Sequence, residues 1–357
     1  MKSSHINRRG FGLAALGAMA GAAAPGWAQP ARRLMADMHS HYAMWNIRFP
    51  LDLPGHMRET GATLLAWSIV DDTRWTTRTR QGLRQQAAPE PGELWAYFQQ
   101  EVTRANARLD EWKLHRALAP ADVDAALAGE PRIVLATEGA NFLEGRPERV
   151  ALAHAAGVRH LQLVHYIQSP LGDHQTVEPR HGGLTQAGAQ VIAECQRLGL
   201  VVDLAHGTEA LVNAALDASE AAPVWSHSWI SPRGGSWQDP AYIARALSPQ
   251  SARKIAARGG VVGLWSVRVI EPAYPLKDVA SYADEIMRMA DLIGPKHVAF
   301  GTDMSGAGPN PILSNYVDLR EVAENLARRG LGDSALNDIL IGNYARVLKK
   351  AMGGAQR

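Results

Sequence analysis

The chain has 357 residues, 46% of them hydrophobic and 20% charged, with a formal net charge of +2 at pH 7. Lys2, Arg8 and Arg9 are the only charges in residues 1–28, so the remainder sets 34 basic against 35 acidic residues, a balance that carries no nucleic-acid footprint. Cys195 is the single cysteine, which excludes an internal disulfide and a thiolate metal cluster and leaves any metal to His, Asp and Glu.

The N-terminal stretch reads as a targeting segment. Arg8 and Arg9 precede a mildly apolar, Ala/Gly-rich run ending at Ala24, and Gly26-Trp27-Ala28 puts small residues at −3 and −1 of a cleavage site. The run of about 14 residues is short of the roughly 20 that span a bilayer. Residues 1–28 are therefore expected to be a cleaved twin-arginine-type export signal, and residues 29–357 a single periplasmic domain. No later apolar run reaches membrane length, so no stable membrane insertion of the mature chain is expected.

Eight short apolar or β-rich runs follow: Leu34–His39, Thr63–Val70, Arg132–Gly139, His160–Tyr166, Leu200–His206, Pro223–Ser228, Gly260–Val267 and His297–Met304. Helix-like patterns fall between most of them, over residues 92–113, 147–157, 185–199, 208–219, 248–260 and 279–294. Cys195 belongs to the third of these as a packed helix residue. Alternating helices and continuously apolar strands imply a parallel sheet covered on both faces, and eight units imply an α/β (β/α)8 TIM barrel. A doubly wound open sheet would need a Gly-rich nucleotide fingerprint after the first strand, and none is there. Residues 71–131 are about twice as long as the other connections and read as an insertion above the barrel mouth, with "DDTRWTTRTRQGLRQQAAPEPG" as an exposed loop.

The ionisable residues fall at the ends of these runs. The first ends in His39 and His41, the third in Glu138, and the fourth, fifth and sixth in His165, His206 and His227; the eighth ends in Asp303. The C-terminal strand ends form the active-site face of such a barrel, so these side chains are expected to meet there. His39 and His41, two apart on a strand, share a face. Apolar strands that repeatedly end in His, Glu or Asp leave buried polar groups that a metal would satisfy. Two divalent ions are expected, with Glu138 bridging them through its two oxygens. His56, His115, His154, His174, His181 and His297, each isolated, read as hydrogen-bonded structural residues.

The pieces "DMHSH", "TEGANFLEG", "GVRHLQLVHY", "GGLTQAGAQVIAECQRLGLVVDLAH", "APVWSHS", "ARALSPQSARKIAARGGVVGL", "HVAFGTDMSG" and "GNYARVL" occur in that order. Together they resemble the membrane dipeptidase (renal dipeptidase) family of zinc peptidases, among the amidohydrolase-type barrels. The resemblance implies two Zn2+ held by His39, His41, Glu138, His206 and His227, and hydrolysis of dipeptides by a hydroxide bridging the metals. It also implies that His165 contacts substrate and stabilises the oxyanion, that Asp303 is the catalytic acid/base beside Glu138, and that Arg245 binds the substrate carboxylate, with Arg233 as its rival. The partner expected is a small, dipeptide-like molecule, and a homodimer is compatible with this reading. The family's opening motif is His-x-Asp, whereas this chain has His39-Ser40-His41, which leaves the site one unit more positive. That departure and the 71–131 insertion keep a second substrate class open: another amide, such as an N-acyl amino acid, a lactam or a modified dipeptide.

Overall fold

Strands covered on both faces must be apolar along their whole length, and the chain's longest strand is buried at all nine positions. The computed structural model describes residues 33–44, 51–80, 82–269, 276–306 and 311–354. The export-signal reading of residues 1–28 lies outside them. Eight strands form the barrel: β1 Met35–Ser40, β2 Ala62–Val70, β3 Arg132–Glu138, β4 Val158–Gln162, β5 Val201–Asp203, β6 Val224–Ser228, β7 Val261–Leu264 and β8 Val298–Phe300. Each pairs in parallel with the next in chain order. Every predicted run overlaps its strand; β1 ends one residue later, β2 starts one earlier and β4 starts two earlier than read, and most strands stop short of the run's end, so the polar residues that follow sit on the loops above the sheet.

The ring closes between β1 and β8 with little regular ladder. Ser40 bridges Met304 in parallel, His41 N donates to Met304 O at 2.9 Å, and Asp303 N donates to His39 O at 2.9 Å. The buried Asp37 side chain completes the seam. Its Oδ1 accepts from Thr302 N at 2.9 Å, and its Oδ2 accepts from Thr302 Oγ1 at 2.5 Å and from Tyr316 OH at 3.3 Å.

Side-chain alternation separates two apolar layers. On β2, Leu65, Trp67 and Ile69 join the large cluster shared with the covering helices, while Leu64 and Ala66 join a smaller one. That smaller cluster collects Ala36, Met38, Val134 and Ala136 with Val347 and Leu348 of the C-terminal helix Asn343–Gly353. The predicted helices appear at Glu93–Trp112, Arg149–Ala155, Gln186–Leu198, Glu209–Ala218, Pro249–Ala257 and Val279–Ile293. Thr185, Thr208 and Ser248 each cap one by accepting a backbone N–H. Cys195 is buried on the third, and burial pushes its thiol up out of the reactive range. Among the described residues no helix is long and apolar enough to cross a membrane.

The insertion needs correction. Its first residues and its hairpin, Thr76–Thr79 against Gly82–Gln85, reach the mouth, where Thr73, Thr76 and Leu83 line the central cavity. Helix Glu93–Trp112 instead belongs to the outer layer, stacking Phe98 on Phe142 at 3.9 Å and bringing Trp112 to Trp67. The "DD" that opens the stretch is not exposed: Asp71 and Asp72 are both fully buried. Two acids directly after a strand read as solvent-facing, but each accepts backbone N–H groups of another loop through its Oδ2, from Asn141 and Phe142 for Asp71 and from Tyr166 and Ile167 for Asp72.

Candidate metal centre

Glu138 is the last residue of β3 and His227 lies within β6, whereas His165, His206 and Asp303 each sit three residues beyond their strands. His206 (φ 70°) and Asp303 (φ 52°) adopt the left-handed region, a strained conformation for residues with a Cβ that turns the chain sharply above the sheet. All seven side chains expected to converge do so, and His39, His41, Glu138, His165, His206 and His227 are nearly inaccessible.

Glu138 is the hub. Its Oε1 lies 3.5 Å from His39 Nε2, 3.2 Å from His165 Nε2, 3.2 Å from His206 Nε2 and 3.3 Å from His227 Nε2. Its Oε2 lies 3.2 Å from His41 Nε2, which is also 3.2 Å from Asp303 Oδ1. Two pairs of imidazole nitrogens face each other, His39 with His41 and His206 with His227, both Nε2 to Nε2 at 3.2 Å.

The contacts behind the rings show what those nitrogens offer. His41 Nδ1 lies 2.7 Å from the Ser68 carbonyl, which can only accept, so Nδ1 carries the proton and neutral His41 presents a lone pair at Nε2. His227 Nδ1 is 2.8 Å from Ser226 Oγ, and His39 Nδ1 is 3.3 Å from the hydroxyls of both Ser68 and Ser226. Burial holds His206 well below the usual histidine range and lowers His227 to about 4, so both stay neutral. Burial opposes charge on His41 too, but the Asp303 and Glu138 carboxylates outweigh it and raise its pKa to about 10. Burial likewise resists ionisation of Glu138, yet the surrounding histidines hold its pKa well below the carboxylate range. Without an ion, His41 is thus protonated between its two carboxylates, while His206 and His227 offer lone pairs, so the cluster favours positive charge at its centre, a demand that an ion meets in place of the His41 proton.

A divalent ion fits that demand. Nitrogen and oxygen ligands about 2.0–2.2 Å from a tetrahedral zinc stand roughly 3.3–3.6 Å apart, close to the 3.2–3.5 Å separations around Glu138. Among the described residues three groups are compact enough to hold an ion: His39, Glu138 and His227; His39, His41 and Asp303; and Glu138, His165 and His206.

Arg245 and Arg233 part company. Arg245 is buried, lines the same cavity of about 200 Å³ as Glu138, His165 and Asp303, and donates from Nε to Gln175 Oε1 (3.3 Å) and from Nη2 to His227 O (3.2 Å). Arg233 is mostly exposed, pairs with Asp239 at 2.9 Å and borders a different cavity. Two contributors escaped the sequence reading. Asp72 Oδ1 accepts from His165 Nδ1 at 2.7 Å, and the Trp265 indole donates to Asp303 Oδ2 at 2.9 Å. The polar residue closing the second apolar run could have flagged Asp72; nothing in the spacing distinguishes Trp265 from a core tryptophan.

Residues 56–357 match the membrane dipeptidase family, peptidase family M19, a span that begins after His39 and His41. The chain is 30% identical over 233 residues to dipeptidase aclJ of Aspergillus oryzae, covering 60% of this chain and 50% of that protein. It is 27% identical over 224 residues to dipeptidase 3 of Rattus norvegicus, covering 61% and 44%. It thus spans about half the length of these curated relatives. Among solved structures, it superimposes on the probable dipeptidase PvdM from Pseudomonas aeruginosa with a TM-score of 0.74 at 17% identity, over 91% of this chain and 96% of that one. A metallo peptidase from Rhodobacter sphaeroides, liganded with a phosphinate mimic of the dipeptide L-Ala-D-Ala, gives 0.72 at 18% identity over 90% and 99%. At those identities the likeness shows the fold alone, a parallel (β/α)8 TIM barrel. With the family match extending over most of its length, the chain belongs to the membrane dipeptidase family, peptidase family M19.

Proposed function

We propose that the protein is a metal-dependent dipeptidase that works with two zinc ions. The observation that carries this reading is the convergence of His39, His41, His165, His206 and His227 on the two oxygens of Glu138, in one cavity with Asp303 and Arg245. His39, His41, Glu138, His206 and His227 would hold the ions, which when bound supply a water acidified toward neutrality and Lewis-acid polarisation of the scissile carbonyl. Glu138 suits the bridging position because its Oε2 faces His41 while its Oε1 faces the other imidazoles.

The chain's own groups do the rest. His165 presents Nε2 to the cavity and stabilises the oxyanion. Burial disfavours its charge, but in the ion-free site Asp72 and Glu138 raise its pKa well above the usual range, and the Asp72 contact at 2.7 Å continues to favour a charged donor. Asp303 takes the proton released by the attacking water and returns it to the leaving amine. Arg245 uses its N–H donors beyond those given to Gln175 and His227 to grip the substrate's terminal carboxylate, which limits productive substrates to short ones. Val70, Leu83, Tyr166 and Trp265 provide apolar wall. The cavity of about 200 Å³ is smaller than the roughly 300–1,000 Å³ of drug-sized sites, as a dipeptide requires.

One observation favours a second reading. His41 stands where the family usually has a carboxylate, and the added positive charge favours another anionic amide, such as an N-acyl amino acid. The deciding experiment loads purified protein with zinc, counts metal per chain, and assays L,L- and L,D-dipeptides against N-acyl amino acids. The expected outcome is two ions and preferential dipeptide turnover; preferential turnover of N-acyl amino acids selects the second reading.

A further inference from the structure

We propose that Trp265 is a positioning residue that sets both the proton-carrying Asp303 and the substrate clamp Arg245, a role that rests on the dipeptidase reading above. Trp265 directly follows β7, is 4% exposed, and has its backbone N bonded to Ser228 O at 2.9 Å. The indole touches both partners with different parts. Its N–H donates to Asp303 Oδ2 at 2.9 Å, and its ring carries the Arg245 guanidinium carbon 5.3 Å from the centroid. Trp229, stacked at 6.3 Å and 27°, and the edge-on ring of His227 at 5.9 Å fix the ring plane.

Indole nitrogen donates and never accepts. Asp303 Oδ2 therefore stays the acceptor, and Oδ1, 3.2 Å from His41 Nε2, is the oxygen turned toward the histidine cluster. The carboxylate torsion is broad and nearly two-fold, so without that donor the two oxygens interchange and the acid is correctly presented only part of the time. The ring face does a separate job. Gln175 and the His227 carbonyl hold one edge of the Arg245 guanidinium, and the indole supports its plane by cation–π attraction. One side chain thus serves the chemical step through its nitrogen and binding through its face.

Trp265→Phe removes the nitrogen and keeps the face, whereas Trp265→Leu removes both. With zinc-loaded protein and an L,L-dipeptide, Trp265→Phe is expected to lower kcat about tenfold, a fraction of what an acid–base group supplies, and to leave KM within about twofold. Trp265→Leu should in addition raise KM about tenfold, with no such rise for a C-terminally amidated dipeptide. Combining Trp265→Phe with Asp303→Asn should be no slower than Asp303→Asn alone, because both act on one proton transfer. Thermal midpoint and metal content are measured on each variant. Wild-type kcat in Trp265→Phe overturns the proposal, and so do additive losses in the double variant, which a purely packing role would give even in a weakened fold. Failure of the zinc-loaded wild type to cleave any dipeptide removes the functional reading and this inference together; cleavage by wild type with Trp265→Phe unaffected removes the inference alone.

Discussion

Asp72 and His165, 93 residues apart in the chain, are joined by a 2.7 Å bond from His165 Nδ1 to Asp72 Oδ1, while Asp72 Oδ2 accepts the backbone N–H groups of Tyr166 (2.9 Å) and Ile167 (3.2 Å). The carboxylate thus fixes the loop that carries the histidine as well as the tautomer of its ring.

That arrangement makes Asp72→Asn a sharp probe. The two backbone donors will keep the amide oxygen in the Oδ2 position and turn the NH2 group toward Nδ1, which must then accept. His165 would be held neutral, with its proton on Nε2, and would donate to the oxyanion without charge. We expect kcat to fall about 10- to 100-fold, less than the roughly 100- to 1000-fold of a lost oxyanion donor because the N–H remains and only its charge goes, with both metals retained. Metal analysis beside steady-state kinetics checks this; loss of an ion would instead place His165 among the ligands.

His41 can be tested by counting metal. His41→Ala removes a lone pair that Ser68 orients, and the occupancy at saturating zinc should drop from two ions toward one. His41→Asp restores a carboxylate beside His39 and should keep two. Two tightly held ions in His41→Ala would end the ligand assignment.

For the clamp, Arg245→Met should raise KM at least about tenfold for dipeptides with a free carboxylate, the cost of a charge-assisted pair of roughly 1.5–3 kcal/mol. Amidated analogues should respond little. Arg233→Met, which removes an exposed pair with Asp239 beside a different cavity, should change KM little.

Away from the ligands, His174 makes stability depend on pH. Its Nδ1 is 3.0 Å from Thr176 Oγ1, and burial lowers its pKa from 6.5 to about 4. Above pH 6.5 the ring is neutral folded or unfolded, and its contribution is fully present. Between pH 6.5 and about 4 the unfolded chain binds the proton first, so stability falls by about 1.4 kcal/mol per unit, reaching about 3 kcal/mol below pH 4. Urea midpoints across this window should slope less in His174→Gln than in wild type; equal slopes would show that the ring takes up its proton without cost.

What the sequence discloses follows from which forces act locally. The barrel is readable because strands buried on both faces leave unbroken apolar runs, and the residues ending those runs, from His39 to Asp303, are the ones that converge in the candidate site. Helix Tyr316–Arg328 is equally open to reading, with Tyr316, Leu319, Val322, Ala323 and Leu326 on its buried face behind an Asn315 cap. Helix Leu53–Thr60 is not, since Pro54 and Gly55 imitate a turn and only the Asp52 side chain, accepting from Gly55 N, reveals a helix start. Asp72, Ser68 and Trp265 stay hidden for another reason. Their roles are defined by partners on other strands, at separations of 93, 27 and 38 residues, and no local spacing encodes those meetings.

The seam closed by Asp37 sets an order of assembly. It joins the first strand to the last across 265 residues, and His39 stands on one side of it with Asp303 on the other. A growing chain that has not yet made Thr302 has neither the latch nor the final acid, however well its first seven strands are formed. Such distant closure is among the slower events in folding. The centre is thus complete only after Thr302 has been made and the ring has shut.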